Sequence, residues 1–122
     1  MEEWASVEEI LSAQNKVNSV DVNLYGKKVT IYWAELDNSE YPSLIPPQVD
    51  KLSDKEKLEF LTKLNDEITI AMIEKGQKMK EAEGGELKIK FTKEVINKLK
   101  PRLKNEILTA IWQMRDGINK NL

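Results

Sequence analysis

The sequence predicts an α+β fold: a small antiparallel β-sheet, made of a hairpin at 20–34 plus a short strand at 86–91, packed against about four helices. Three features carry that expectation. Apolar and polar residues alternate on both sides of a glycine turn within 20–34. Two Ser-x-x-Glu capping boxes each open an apolar row at helical spacing. Pro101 divides the C-terminal part into two helices, because its ring clashes with a preceding helical turn. The 122 residues suit one domain, 1–122, with a core of ordinary size.

The first helix is expected over 6–18. Ser6-Val7-Glu8-Glu9 caps it, and Val7, Ile10, Leu11 and Val17 recur at helical spacing. The hairpin follows. Val20, Val22 and Leu24 alternate with Asp21, Asn23 and Tyr25, and Val29, Ile31 and Trp33 alternate with Lys28, Thr30 and Tyr32. A two-residue type II′ turn at Gly26-Lys27 pairs Leu24 with Val29, Val22 with Ile31 and Val20 with Trp33, all on one face. Residues 35–52 form a proline-rich connector, stiffened by Pro42, Pro46 and Pro47 and pinned by Leu44, Ile45 and Val49. It reads as a crossover strapped to the core, with a partner-docking loop as the alternative.

A long helix is expected over 54–83. Ser53-Asp54-Lys55-Glu56 caps it, and Leu58, Leu61, Leu64, Ile68 and Met72 form its stripe. Beyond Gly76 the pattern turns polar, so the last turns project or fray, and Gly84-Gly85 ends the helix. The strand 86–91 places Leu87, Ile89 and Phe91 on one side, most economically beside the hairpin. Helices at 92–100 and 101–119 complete the chain.

Composition removes most chemistry. There is no Cys and no His, hence no disulfide, thiolate, imidazole base or ordinary zinc site. The carboxylate pairs, such as Glu8/Glu9 and Asp66/Glu67, fall on polar helix faces beside lysines, where nothing raises a pKa for acid–base work. Gly84-Gly85 precedes a strand, the wrong order for a phosphate cradle. The reading is therefore of a non-enzyme with no cofactor and no metal. The longest uncharged run, Tyr41–Val49, has nine residues and cannot cross a bilayer. With an acidic N-terminal Met1-Glu2-Glu3-Trp4, the expectation is a cytoplasmic protein without a membrane partner.

Charge is unevenly spread. Residues 1–40 carry eight acids against three lysines, whereas 87–105 carry seven bases against Glu94 alone. Such asymmetry can guide assembly or pair the protein with itself as a homo-oligomer. The basic segment 88–104 is a candidate nucleic-acid contact. However, it holds one arginine and no exposed aromatic, and the sequence pI near 5.3 argues against that role. The final helix is apolar on more than one stripe, since Leu108 and Trp112 flank the row of Ile107, Ala110, Ile111, Met114 and Ile118. A small core swallows all of it, or one flank stays open for a protein partner.

Two segments carry a resemblance. Val22-Asn-Leu-Tyr-Gly-Lys-Lys-Val-Thr-Ile-Tyr-Trp33 supplies a glycine, charged residues and alternating hydrophobics. Phe91-Thr-Lys-Glu-Val-Ile-Asn-Lys-Leu-Lys-Pro-Arg-Leu-Lys-Asn-Glu-Ile-Leu-Thr-Ala-Ile111 supplies a proline turn before a helix of paired isoleucines. The pattern is similar to the tail assembly chaperones of long-tailed bacteriophages and prophages. The connector and the long helix depart from it as an enlargement. The resemblance implies a catalytically silent chain that binds the tape measure protein and helps recruit tail tube subunits in the host cytoplasm. Its candidate contacts are Tyr32, Trp33, Ile107, Ile111, Trp112 and Met114. Two alternatives stand beside it: a small phage or mobile-element inhibitor acting by acidic surface mimicry, and nucleic-acid binding through 88–104.

Overall fold

Alternation over residues 18–33 does build a hairpin, and the rest of the fold is arranged on its apolar face. The computed structural model describes residues 3–42 and 51–120, with side chains to Arg115. Within them the order is α1 (Val7–Gln14), β1 (Asn18–Leu24), β2 (Lys27–Trp33), a single 3-10 turn (Asn38–Glu40), α2 (Asp54–Ala82), α3 (Lys93–Lys98) and α4 (Pro101–Lys120). The class is α+β, four helices on a two-stranded antiparallel sheet among the described residues.

The hairpin closes one step earlier than the sequence suggests. Tyr25 and Gly26 take φ of 51° and 79°, and Leu24 pairs with Lys27, so the turn is type I′ at Tyr25-Gly26. That turn matches the right-handed twist of its strands, and the match outweighs the cost of a tyrosine in left-handed backbone. Val22 therefore opposes Val29, Val20 opposes Ile31, and Asn18 opposes Trp33. A shift of two residues leaves every side chain on its predicted face, whereas a shift of one would have inverted the sheet. On the outer face, the Thr30 hydroxyl donates to Asp21 Oδ1 at 2.7 Å across the strands.

Val22, Ile31 and Trp33 are buried against the second half of α2 and the middle of α4. From α2 come Ile70, Met72 and Ile73; from α4, Ile107, Leu108 and Ile111; Phe91 and Ile96 fill the end. Where β2 runs onto α2, the Ala34 N–H donates to the Met72 carbonyl at 3.0 Å. That approach requires Gly76, since a Cβ at this position would overlap the Trp33 backbone. The ring of Trp33 is 1% exposed, and its Nε1 has no hydrogen-bond partner among the described residues. Burial of the large ring offsets that loss.

Residues 86–91 are not a strand. The side-chain amide of Gln77 occupies both ladder groups of Phe91, accepting its N–H at 2.6 Å and donating to its carbonyl at 2.8 Å. With those groups taken by a side chain, the segment crosses α2 as irregular backbone and leaves the hairpin unextended. The first helix also stops short of Asn18, at Gln14, because Asn18 is claimed by its pairing with Trp33. Helix α3 begins after its Thr92 cap, which accepts the Val95 N–H at 3.2 Å, and ends before Leu99. The connector's pins Leu44, Ile45 and Val49 lie outside the described residues. Before them, Lys75 binds the chain to α2: its ammonium donates to the Glu35 carbonyl at 2.8 Å and pairs with Glu40 and Asp37. The hydrogen bond from Lys75 holds the Glu40 carboxyl below its usual pKa.

Two substitutions test this packing. Gly76→Ala, which in an exposed helix gains about 1 kcal/mol, is expected here to cost about 3 kcal/mol or more by overpacking against β2. Gln77→Leu strands the buried N–H and carbonyl of Phe91 and should cost about 2–4 kcal/mol. Urea denaturation monitored by circular dichroism measures both.

Candidate functional site

Helix α2 has 29 residues, and its buried positions begin only at Thr69. The stretch that extends past the core, by about 20 Å along the axis, is thus the first half and not the turns beyond Gly76 expected to project, where Gln77 is buried against Phe91. Its Ser53 cap explains why it stays helical there: Ser53 Oγ accepts the Glu56 N–H at 3.2 Å, and Glu56 Oε1 accepts the Ser53 N–H at 3.3 Å. Along this stretch Leu58 and Leu61 are 65% and 54% exposed, although they continue the apolar stripe that is buried farther on. The core is too short to cover the helix that the stripe defines.

Helix α4 lies beside this stretch and forms a groove with it. Thr62, Asn65 and Asp66 from α2 face Asn105, Leu108, Thr109 and Trp112 from α4 around a depression of about 280 Å³. Leu58 is one turn before Thr62 on the same helix face, so the exposed leucine continues the groove wall. Trp112 is half-buried, and the Arg115 guanidinium stacks 4.9 Å from its ring centroid. Arg115 Nε lies 3.3 Å from Glu35 Oε1 in ion-pair range without hydrogen-bond alignment. This orients the cation that covers one face of the indole. Contrary to the solvated face expected for the Asp66/Glu67 pair, burial raises the pKa of Asp66, with the Lys104 charge acting against the shift. The depression thus combines Trp112 and the edge of Leu108 with the polar side chains of Thr62, Asn65, Asp66, Asn105 and Thr109, and the exposed Leu58 and Leu61 lie on α2 before it.

The six residues singled out from the sequence do not form one surface. Trp33, Ile107 and Ile111 are 1%, 0% and 0% exposed and belong to the core. Met114, 38% exposed, follows Ile107 and Ile111 on the core row of α4, a different side of the helix from Trp112. Tyr32 sits at the other end of α2, with Lys80 5.3 Å from its ring centroid. Lys80 and Thr62 are separated by about 27 Å along the helix at 1.5 Å per residue. Only Trp112 reaches the groove. Sequence reasoning missed Leu58 and Leu61 as surface residues because their spacing is that of a buried stripe. The available signal was length, since 29 residues of helix exceed what a hairpin of seven-residue strands can cover.

A second apolar row lies on α1. Trp4, Val7, Ile10 and Leu11 are 48%, 66%, 42% and 46% exposed, and the helix has no buried residue. The basic segment is largely engaged within the fold. Lys93 pairs with Glu67 at 2.8 Å, Lys98 with Glu94 at 3.1 Å and Lys90 with Glu81 at 3.4 Å, while Lys104 donates to Asn97 Oδ1 at 3.0 Å. The Glu67 carboxylate raises the pKa of Lys93 through that hydrogen bond. Among the described residues, no three acids come together to hold a metal ion, and no helix is long and apolar enough to cross a membrane. No family model matches the chain, and neither the curated proteins nor the solved structures compared with it give a match.

Asp66 supplies a pH-dependent test of the groove. A carboxyl whose folded-state pKa lies above 3.8 stabilises the fold when protonated and loses that contribution as pH rises through the folded value. Asp66→Asn should therefore melt slightly higher than the parent chain at pH 7, and the advantage should disappear below pH 3.8. Calorimetric melting points across that range check the sign.

Proposed function

We propose that this chain is a non-enzymatic protein-binding chaperone of phage tail assembly, shielding tape measure and tail tube proteins before the tube polymerises. The observation that carries the reading is a surface on which the exposed Leu58 and Leu61 of α2 precede a largely polar depression between α2 and α4 that Trp112 lines. The likeness of segments 22–33 and 91–111 to tail assembly chaperones supports the choice of partner.

The mechanism follows from the groove's shape and chemistry. Apolar side chains of a helical partner segment exchange water for the leucines and the indole, as amphipathic helices do in hydrophobic grooves. Trp112 supplies a large contact area with little rotamer entropy to lose, and Arg115 holds its ring in place. The segment's own aggregation-prone face is covered while it stays bound. The net charge of −2 and the many exposed carboxylates keep the complex dispersed.

The test is co-expression with the tape measure and tail tube proteins encoded beside the gene, followed by co-purification and light scattering. The chain should co-purify with one of them and suppress its aggregation. Trp112→Glu should weaken that binding at least tenfold while the far-ultraviolet spectrum and melting curve stay near those of the parent. Failure to bind either protein, or full binding by Trp112→Glu, would overturn the reading.

A further inference from the structure

Glu35, the second residue after β2, is gripped from two helices. Its carbonyl accepts a hydrogen bond from the Lys75 ammonium of α2 at 2.8 Å, and its carboxylate Oε1 lies 3.3 Å from Arg115 Nε of α4. Lys75 also donates to Glu40 Oε1 and pairs with Asp37 at 3.8 Å, so all its charge contacts fall on one turn. That turn is closed on itself as well. The Asp37 N–H donates to Glu40 Oε1 at 2.7 Å, and the Glu40 N–H donates to the Asp37 carbonyl at 2.9 Å. Residues 35–40 are therefore fastened to α2 as one unit, by a lysine whose side chain is only 18% exposed.

The grip on α4 reaches Trp112. Arg115 follows Trp112 by three residues, so the two side chains are neighbours on the helix surface, and the guanidinium sits 4.9 Å from the indole centroid. An arginine on a helix surface otherwise extends its charged head into water. Here Nε is shut off from solvent without an aligned hydrogen bond, and Glu35 is the carboxylate paired with it among the described residues. Trp112 lines the depression between α2 and α4 whereas Arg115 does not, so the cation backs the ring from outside the opening.

We infer that residues 35–40 are a positioning device for Trp112: Lys75 fixes their backbone on α2, and Glu35 then holds Arg115 against the indole. The inference takes its purpose from the proposed function, since Trp112 is the side chain assigned there to partner contact. An indole held in one rotamer loses less freedom on binding than a mobile one. Glu35 is thus a positioning residue that acts on a partner only through Arg115 and Trp112. The path consists of side chains in direct contact, so a change at Lys75 on one helix is felt at Trp112 on another.

Two substitutions separate the steps. Glu35→Gln keeps the carbonyl that Lys75 grips and removes the charge facing Arg115. Lys75→Met keeps the aliphatic stem and alters neither Arg115 nor Trp112. The chain has two arginines, Arg102 and Arg115, so their Nε–H signals are readily told apart in a nitrogen–proton spectrum. In the free chain each variant should speed solvent exchange of the Arg115 Nε–H about tenfold or more, at a melting point near the parent's. Each should also shift the Trp112 indole resonance. The double variant should go no further than Glu35→Gln alone, because both act on one path. Glu35→Gln should weaken tail-protein binding about three- to tenfold. Signals left in place by either folded variant, or effects of the two that simply add, would overturn the inference. Should Lys75→Met fail to fold, the Glu35→Gln spectrum decides alone. If both signals move as expected while the parent chain binds neither tail protein, the positioning device stands and the chaperone reading falls.

Discussion

The backbone contact between Trp33 and Gly76 sets the geometry from which the rest follows. With no side chain at Gly76, β2 settles directly on α2, and the Ala34 N–H reaches the Met72 carbonyl. The sheet is thereby fixed against the C-terminal half of α2, and the core forms there around Trp33, Ile73 and Ile111. Before Ile68, which packs against its edge, α2 runs beyond that core. The open leucines are a consequence of where the hairpin docks, and so is the depression that α4 makes with Thr62, Asn65 and Asp66.

Strong local signals in the sequence translate into structure. The serine caps at Ser6 and Ser53, the threonine cap at Thr92 and the proline start of α4 appear where the residues place them. These features depend on interactions within three or four residues, so the sequence displays them completely. The hairpin's buried face was equally legible, because alternation fixes the face whatever the register. Its turn was not. Choosing between glycine first and glycine second requires weighing strand twist against the cost of a left-handed Tyr25, which composition alone does not reveal.

The remaining differences come from partners distant in sequence. Alternation over 86–91 looks like a strand, but Gln77, fourteen residues earlier, satisfies the Phe91 backbone with a side chain. No pattern within six residues contains that information. The same limitation applies to the site. The row Leu58, Leu61, Leu64 has the spacing of a core stripe, and only the placement of the hairpin shows which part of the stripe the core reaches. Trp112 was legible as a flank of α4, while Trp33, Ile107 and Ile111 shared its chemistry without its exposure.

The central claim is that the α2–α4 groove receives a polypeptide. The three tryptophans report on it separately: Trp33 in the core, Trp4 ahead of α1 and Trp112 at the groove. A nitrogen–proton correlation spectrum recorded while tape measure protein is added should move the Trp112 indole resonance and leave that of Trp33 in place. An unmoved Trp112 resonance at saturating partner would contradict the claim.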